Sequence, residues 1–248
     1  MTVTLNCDMG ESYGHWSFGD DEGIMPFVDC ANVACGFHAS DPLIMQRTVA
    51  LALRCGKRIG AHPSLPDREG FGRREMRLPP DELRAAFIYQ IGALSGFVTA
   101  AGGTLSHVKP HGIIYGMAAR DLATATAIAE AAAAFGLPLF GMVGTFHQKA
   151  AENIGIPFVG EFFADLGYGP SGELIIPRVQ SAVDLDRCAS RLARALETST
   201  VSKSDGSDMK ISFETICIHS DPPNARDVAA TARTVIDEWR QKSERHAS

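Results

Sequence analysis

No two cysteines in this sequence stand as Cys-x-x-Cys; the six present, Cys7, Cys30, Cys35, Cys55, Cys188 and Cys217, are scattered along the chain. A thioredoxin-like pair is therefore not encoded, and 248 residues have core enough without disulfide staples, so free thiols are expected. Basic residues are not in excess. Lys and Arg number 23 against 29 Asp and Glu, a net charge of −6, which leaves no basic stripe for nucleic acid or an anionic membrane surface. A small molecule is the expected substrate. The longest apolar stretch, residues 131–146, is cut by Gly136, Pro138, Gly141 and Gly144 and falls short of the roughly 20 residues of a bilayer span. The opening residues lack the basic and apolar regions of a secretion signal, and a cytoplasmic location is expected. Also missing is GxxxxGK followed by Ser or Thr, and no GxGxxG joins a strand directly to a helix. The usual nucleotide cradles are thereby disfavoured.

Short β-branched or apolar runs alternate with longer helix-periodic ones, the pattern of βαβ units around a parallel sheet, and 45% hydrophobic content suits one domain over residues 1–248. Seven strands are expected, at residues 3–7, 31–36, 58–61, 104–108, 138–143, 157–160 and 215–218. Pro79-Pro80-Asp81-Glu82 opens a helix that Gly102-Gly103 closes, and an alanine-rich helix runs over residues 118–135 to Gly136. Further helices are expected at 43–54, 146–153, 183–197 and 225–242, with residues 201–210 an exposed loop.

Most strand candidates are followed at once by a chemically capable side chain. Asp8 and Glu11 follow the first, His38 the second, His62 the third, Lys109 and His111 the fourth, Glu161 and Asp165 the sixth, and His219 and Asp221 the last. A closed parallel barrel brings all C-terminal strand ends to one face, whereas an open sheet strings them along a line. A seven-stranded parallel β/α barrel is therefore expected, with these groups around one pocket.

Each motif has a chemical and a structural reading. Asp8, beside Gly10 and preceded by Asn6, is a metal ligand or general base, or else a cap. His38 and His62 sit among small residues at adjacent strand ends and with Asp8 could hold a divalent metal, since imidazole and carboxylate suit zinc, manganese or iron. Asp41-Pro42 and Asp221-Pro222 read as helix caps. The loop at 66–74 carries Arg73 and Arg74, which grip a substrate carboxylate or phosphate or else merely pair with neighbouring acids. The run 107–112 places Lys109, able to stabilise an oxyanion, two residues from His111, able to move protons. Glu161, Asp165 and Arg178 add charge near the same pocket.

The blocks NCDMGE at 6–11, CGFHASDP at 35–42, GAHPSLPDREGFGRR at 60–74, VKPHG at 108–112, EFFAD at 161–165 and IHSDPP from Ile218 resemble those of the LamB/YcsF family, the A subunits of 5-oxoprolinases, over nearly the whole chain. The resemblance implies a barrel related to those of glycoside hydrolases and polysaccharide deacetylases. It implies cleavage of 5-oxo-L-proline to L-glutamate with ATP hydrolysis, in company with two further subunits, B and C. Asp8, Lys109 and His111 would then be catalytic, and Asn6, Glu11, His38, His62, Arg73, Arg74, Glu161, Asp165 and His219 would surround the substrate. With no phosphate loop present, ATP would lie largely on the partner subunits; a divalent metal and association of identical chains are left open. The chain departs from the family at Ser40, where glycine is usual, at Gly116 in place of asparagine, at Leu166 in place of arginine, and at Ser220 within an HGD run. Losing the arginine at Leu166 removes an anion contact and bears on substrate identity. Two other readings are a stand-alone metal-dependent amidase or deacetylase using Asp8, His38 and His62, and a non-catalytic subunit that binds a small acid.

Overall fold

A computed structural model describes residues 3–177 and 180–247; Arg178 lies outside the described residues. The chain begins with β1 (Thr4–Met9), a short helix α1 (Asp21–Ile24) and a 3₁₀ turn (Met25–Phe27). It continues with β2 (Cys30–Ala34), α2 (Pro42–Arg54), β3 (Arg58–His62), α3 (Pro80–Ala100) and β4 (Leu105–Val108). Next come α4 (Ile113–Arg120), α5 (Leu122–Ala133), β5 (Leu139–Gly141), α6 (Phe146–Ile154) and β6 (Phe158–Phe163). Two hairpins flank α7 (Leu185–Thr198): β7 (Gly167–Tyr168) with β8 (Leu174–Ile175), and β9 (Thr200–Ser202) with β10 (Asp208–Lys210). The barrel strand β11 (Thr215–Ile218) and α8 (Ala225–Ala247) complete the fold.

Seven parallel strands close in the order β1-β11-β6-β5-β4-β3-β2, as expected. Each buries apolar side chains against the helical ring through alternate positions; in β1 these are Leu5, Cys7 and Met9. The residues between them face the lumen, which is unusually polar. Asn6 donates to Thr215 Oγ1 at 2.9 Å, Asn32 donates to Asn6 Oδ1 at 2.7 Å, and His107 Nε2 lies 2.7 Å from Asn32 Oδ1. Buried amides stay in such a lumen only because each finds a partner. Gly60 of β3 faces the same space, where any Cβ would collide with the His107 ring.

Three expectations are corrected. The helix expected over 118–135 is two helices, because the Asp121 side chain caps α5 by accepting from Thr124 N at 2.8 Å. Residues 201–210 form a β-hairpin, not a loop, turning at Gly206 with φ +84°. Strand pairing also runs further than expected: Asp8 pairs with Asn32 and Glu161 with Thr215, so both carboxylates sit inside strands and Asp8 caps nothing. By length and apolarity α3 alone among the described helices could cross a membrane, but Leu83, Phe87, Ile91, Leu94 and Val98 are buried on one face and Gln90 bonds Ser64.

Candidate functional site

The C-terminal strand ends form the mouth. At its centre Lys109 continues from β4, its backbone N–H held by Ala61 O at 2.9 Å. Its ammonium donates to Asp8 Oδ1 at 2.7 Å and Cys217 Sγ at 2.9 Å, with Asn6 Oδ1 and Glu161 Oε1 each at 3.4 Å. Burial by itself would strip the proton from Lys109, but the Asp8 and Glu161 carboxylates outweigh it and hold the pKa well above the usual lysine value. Asp8 is the mirror case: burial pushes its carboxyl up, and His62 and Lys109 bring it well below the usual range. Burial raises the Cys217 thiol, which meets the ammonium as a neutral sulfur.

Beside this pair lies a group of imidazoles from consecutive strand ends. His62 ends β3 and His111 follows β4, while Glu11 and His38 come from the loops after β1 and β2. His62 Nδ1 donates to Lys109 O at 2.7 Å and His111 Nε2 to Phe71 O at 2.8 Å. The free nitrogens, His62 Nε2 and His111 Nδ1, are 3.0 Å apart. Glu11 Oε1 lies 3.2 Å from His111 Nδ1 and 3.4 Å from His38 Nε2, and the His38 ring stacks on His111 at 3.8 Å. Burial pushes the Glu11 carboxyl up; the adjoining His111 and His38 rings more than reverse it, leaving it well below the usual range. Burial lowers His38 to about 3 and also lowers His111. Asp8 Oδ2 reaches His62 Nε2 at 3.1 Å but not His38 or His111, so His62 stands between Asp8 on one side and His111 on the other, while His38 belongs with Glu11 and His111.

The opposite wall carries His219, whose backbone N–H donates to Asp165 Oδ2 at 2.7 Å and whose Nδ1 is 3.1 Å from both Asp165 oxygens. Burial lowers its pKa, but Asp165 and Asp8 overcome this and lift it to about 9, leaving an imidazolium at neutral pH. Arg73 crosses the mouth to Asp221 at 2.7 Å. That pair corrects the expected cap: α8 starts at Ala225, beyond the reach of Asp221. Asp41 does cap α2, accepting from Leu43 N at 2.8 Å. Arg74 is drawn away from the mouth by Asp67 and is 59% exposed. An inner cavity of about 20 Å³, room for roughly one water, is lined by Asp8, Lys109, His111, Tyr115, Leu166 and His219. Outside it a cleft of about 440 Å³ runs along Phe71, Arg73, Arg74 and Ile176.

The structure thus gathers Asn6, Asp8, Glu11, His38, His62, Lys109, His111, Glu161, Asp165 and His219, keeps Arg73 at the rim, and leaves Arg74 outside. Sequence reasoning missed Asn32, His107 and Cys217. Asn32 donates to Asp8 Oδ1 at 2.8 Å from the middle of the apolar run Ala31 to Ala34, and that misplaced amide was the available signal.

Comparison with known proteins gives the family and the fold. The LamB/YcsF family profile matches residues 3–247. The 5-oxoprolinase A subunit of Methylococcus capsulatus is 48% identical over 237 residues, 94% of this chain and 90% of that one. The lactam utilization protein lamB of Emericella nidulans is 44% identical over 242 residues, covering 96% and 95%. The crystal structure of the lactam utilization protein from Thermus thermophilus superposes with a TM-score of 0.88 at 43% identity, over 96% of this chain and 97% of that one.

Proposed function

Because this chain belongs to the LamB/YcsF family, we propose that it is the A subunit of an ATP-dependent 5-oxoprolinase and carries out the hydrolytic opening of 5-oxo-L-proline to L-glutamate in the cytoplasm. The observation that carries the chemistry is the buried Lys109 ammonium between Asp8 and Glu161, with the His219 imidazolium across the cavity, its Nε2 3.8 Å from Asp8 Oδ2. Two cations facing one small cavity favour a reaction in which negative charge develops on a carbonyl oxygen.

Water adds to the lactam carbonyl carbon and its proton passes to Asp8. Lys109 turns an N–H toward the new oxyanion, which loosens its hold on Asp8 and raises that carboxylate's basicity as the proton arrives. The C–N bond then breaks, and the leaving nitrogen takes a proton from His219. His111, expected as the proton shuttle, is less suited to that role, since its Nε2–H is committed to Phe71 O. Arg73 at the rim is placed to meet the substrate carboxylate.

No GxxxxGK phosphate loop followed by Ser or Thr is present in this chain to cradle a nucleotide. ATP binding and hydrolysis are therefore assigned to partner subunits B and C, whose turnover drives the ring opening, and no step at this site involves the nucleotide. A stand-alone metal-dependent amidase is the second reading, favoured by the Glu11, His38, His62 and His111 grouping. Glutamate release from 5-oxoproline separates the two readings, measured with the chain alone and with both partners, with and without ATP. Only the complete ATP-containing mixture is expected to turn over, and Lys109→Ala to silence it. Release by the chain alone without ATP, or full activity with Lys109→Ala, sinks the leading reading.

A further inference from the structure

We propose that Glu11, His38, His62 and His111 form a binding site for one divalent first-row metal ion, Zn²⁺ foremost, with Asp8 outside its ligand set. Hydrogen bonds to the backbone fix two of the tautomers. Carbonyls take the N–H of His62 at Nδ1 and of His111 at Nε2, so the lone pairs of His62 Nε2 and His111 Nδ1 point at each other across 3.0 Å. Glu11 Oε1 lies beside them, buried and without a hydrogen-bond partner, and both ring nitrogens of His38 are likewise buried and unpartnered. Acceptors do not converge in a dry site unless a cation joins them. A single proton between His62 and His111 satisfies that pair alone and leaves Glu11 Oε1 and His38 with only their long 3.4 Å approach to each other.

The spacing suits a metal. Bonds of 2.0–2.1 Å to a tetrahedral zinc place neighbouring donor atoms about 3.3 Å apart. Three of the six edges here are 3.0, 3.2 and 3.4 Å, and all four donors lie within 4.8 Å of one another. Three imidazoles and one carboxylate suit zinc or cobalt and disfavour calcium and magnesium, which take oxygen donors. The carbonyl contacts of His62 and His111 are the outer hydrogen bonds that orient metal-bound histidines. The other grouping of ligand-type residues, Asp8, Cys217 and His219, already holds a cation, because the Lys109 ammonium lies 2.7 Å from Asp8 Oδ1 and 2.9 Å from Cys217 Sγ. The site stands on geometry alone; only its bearing on catalysis rests on the hydrolytic reading.

The test uses the full chain after dialysis against a chelator, titrated with Co²⁺ and followed by the visible bands of four-coordinate cobalt, then with Zn²⁺ by calorimetry. One equivalent per chain is expected. His38→Ala, which removes a ring with no hydrogen bonds of its own, should weaken binding by more than the roughly 10- to 100-fold that loss of an outer partner costs. Circular dichroism confirms that each protein tested is folded. A folded wild-type chain that gives neither cobalt bands nor zinc heat overturns the proposal, as does a folded His38→Ala variant that binds as tightly as wild type. Metal uptake without glutamate release in the complete mixture refutes the proposed function and leaves the site standing. Turnover by a chain that binds no metal does the reverse.

Discussion

Replacing Lys109 by methionine keeps the length of the side chain and removes its charge, leaving Asp8 and Glu161 buried without their ammonium. Removing one partner of a buried ion pair costs about 3–5 kcal/mol, a large part of the roughly 5–15 kcal/mol that holds a domain together. For a chain of this size about 1 kcal/mol moves Tm by roughly 2–4 °C, so a fall of about 6–20 °C near neutral pH is expected. The sign of the pH dependence adds a second check. In the wild type, the depressed Asp8 pKa contributes stability that is full above the unfolded carboxylate value and is lost as pH falls through the folded one. The raised Lys109 pKa contributes stability that is full below the ordinary lysine value and is lost only at strongly alkaline pH. Without Lys109 the acid-side gain of Asp8 shrinks, so the gap between variant and wild type should narrow as pH falls toward about 4, the ordinary carboxylate value. Adding Asp8→Asn should recover part of the loss at neutral pH, because the stranded charge is then gone. Denaturant and thermal melts over this range measure all three proteins. Lys109→Met as stable as wild type at neutral pH, or a gap that widens on acidification, would refute the account of the barrel centre.

Ser40 is buried with φ +73°, in the left-handed region that costs an L-residue about 1–2 kcal/mol. Ser40→Gly, which removes the Cβ that opposes this conformation, should be neutral to stabilising by up to about 1 kcal/mol in melts once the entropy cost of glycine is counted; a clear loss of Tm contradicts this. His219, lifted to about 9, contributes stability that is full below the usual histidine value and is lost as pH rises through about 9. Its ring resonances should titrate near there by NMR, and Asp165→Asn should bring the midpoint down; an unchanged midpoint removes Asp165 as the cause.

The barrel was legible because its pattern is redundant: seven apolar runs, most ending in a polar chemical group, point to one topology even where boundaries slip. Thr215–Ile218 was located to the residue, whereas the strand expected at 157–160 extends to Phe163 because pairing with β11 continues past Gly160. Histidines and carboxylates at strand ends were legible for the same reason. The lumen was not. Asn32 and His107 look like stray polar residues in apolar strands until closure of the barrel brings residues 75 positions apart within 2.7 Å. The fates of Arg73 and Arg74 were equally hidden, since adjacent residues with the same side chain turn to different acids, Asp221 and Asp67.

The polar lumen has an architectural consequence. Asp8, His62 and Glu161 belong to the strands themselves, and Lys109 follows β4 directly, locked by a hydrogen bond from its backbone to β3. The groups proposed to react are thus set by the staves of the barrel. The segments at 66–77 and 164–177 carry Arg73, Leu166 and Ile176, which line the approach, and reach back to the site only where Phe71 O holds His111 and Asp165 holds His219. A lineage can therefore exchange the doorway to admit a different small molecule and keep the furnace unaltered.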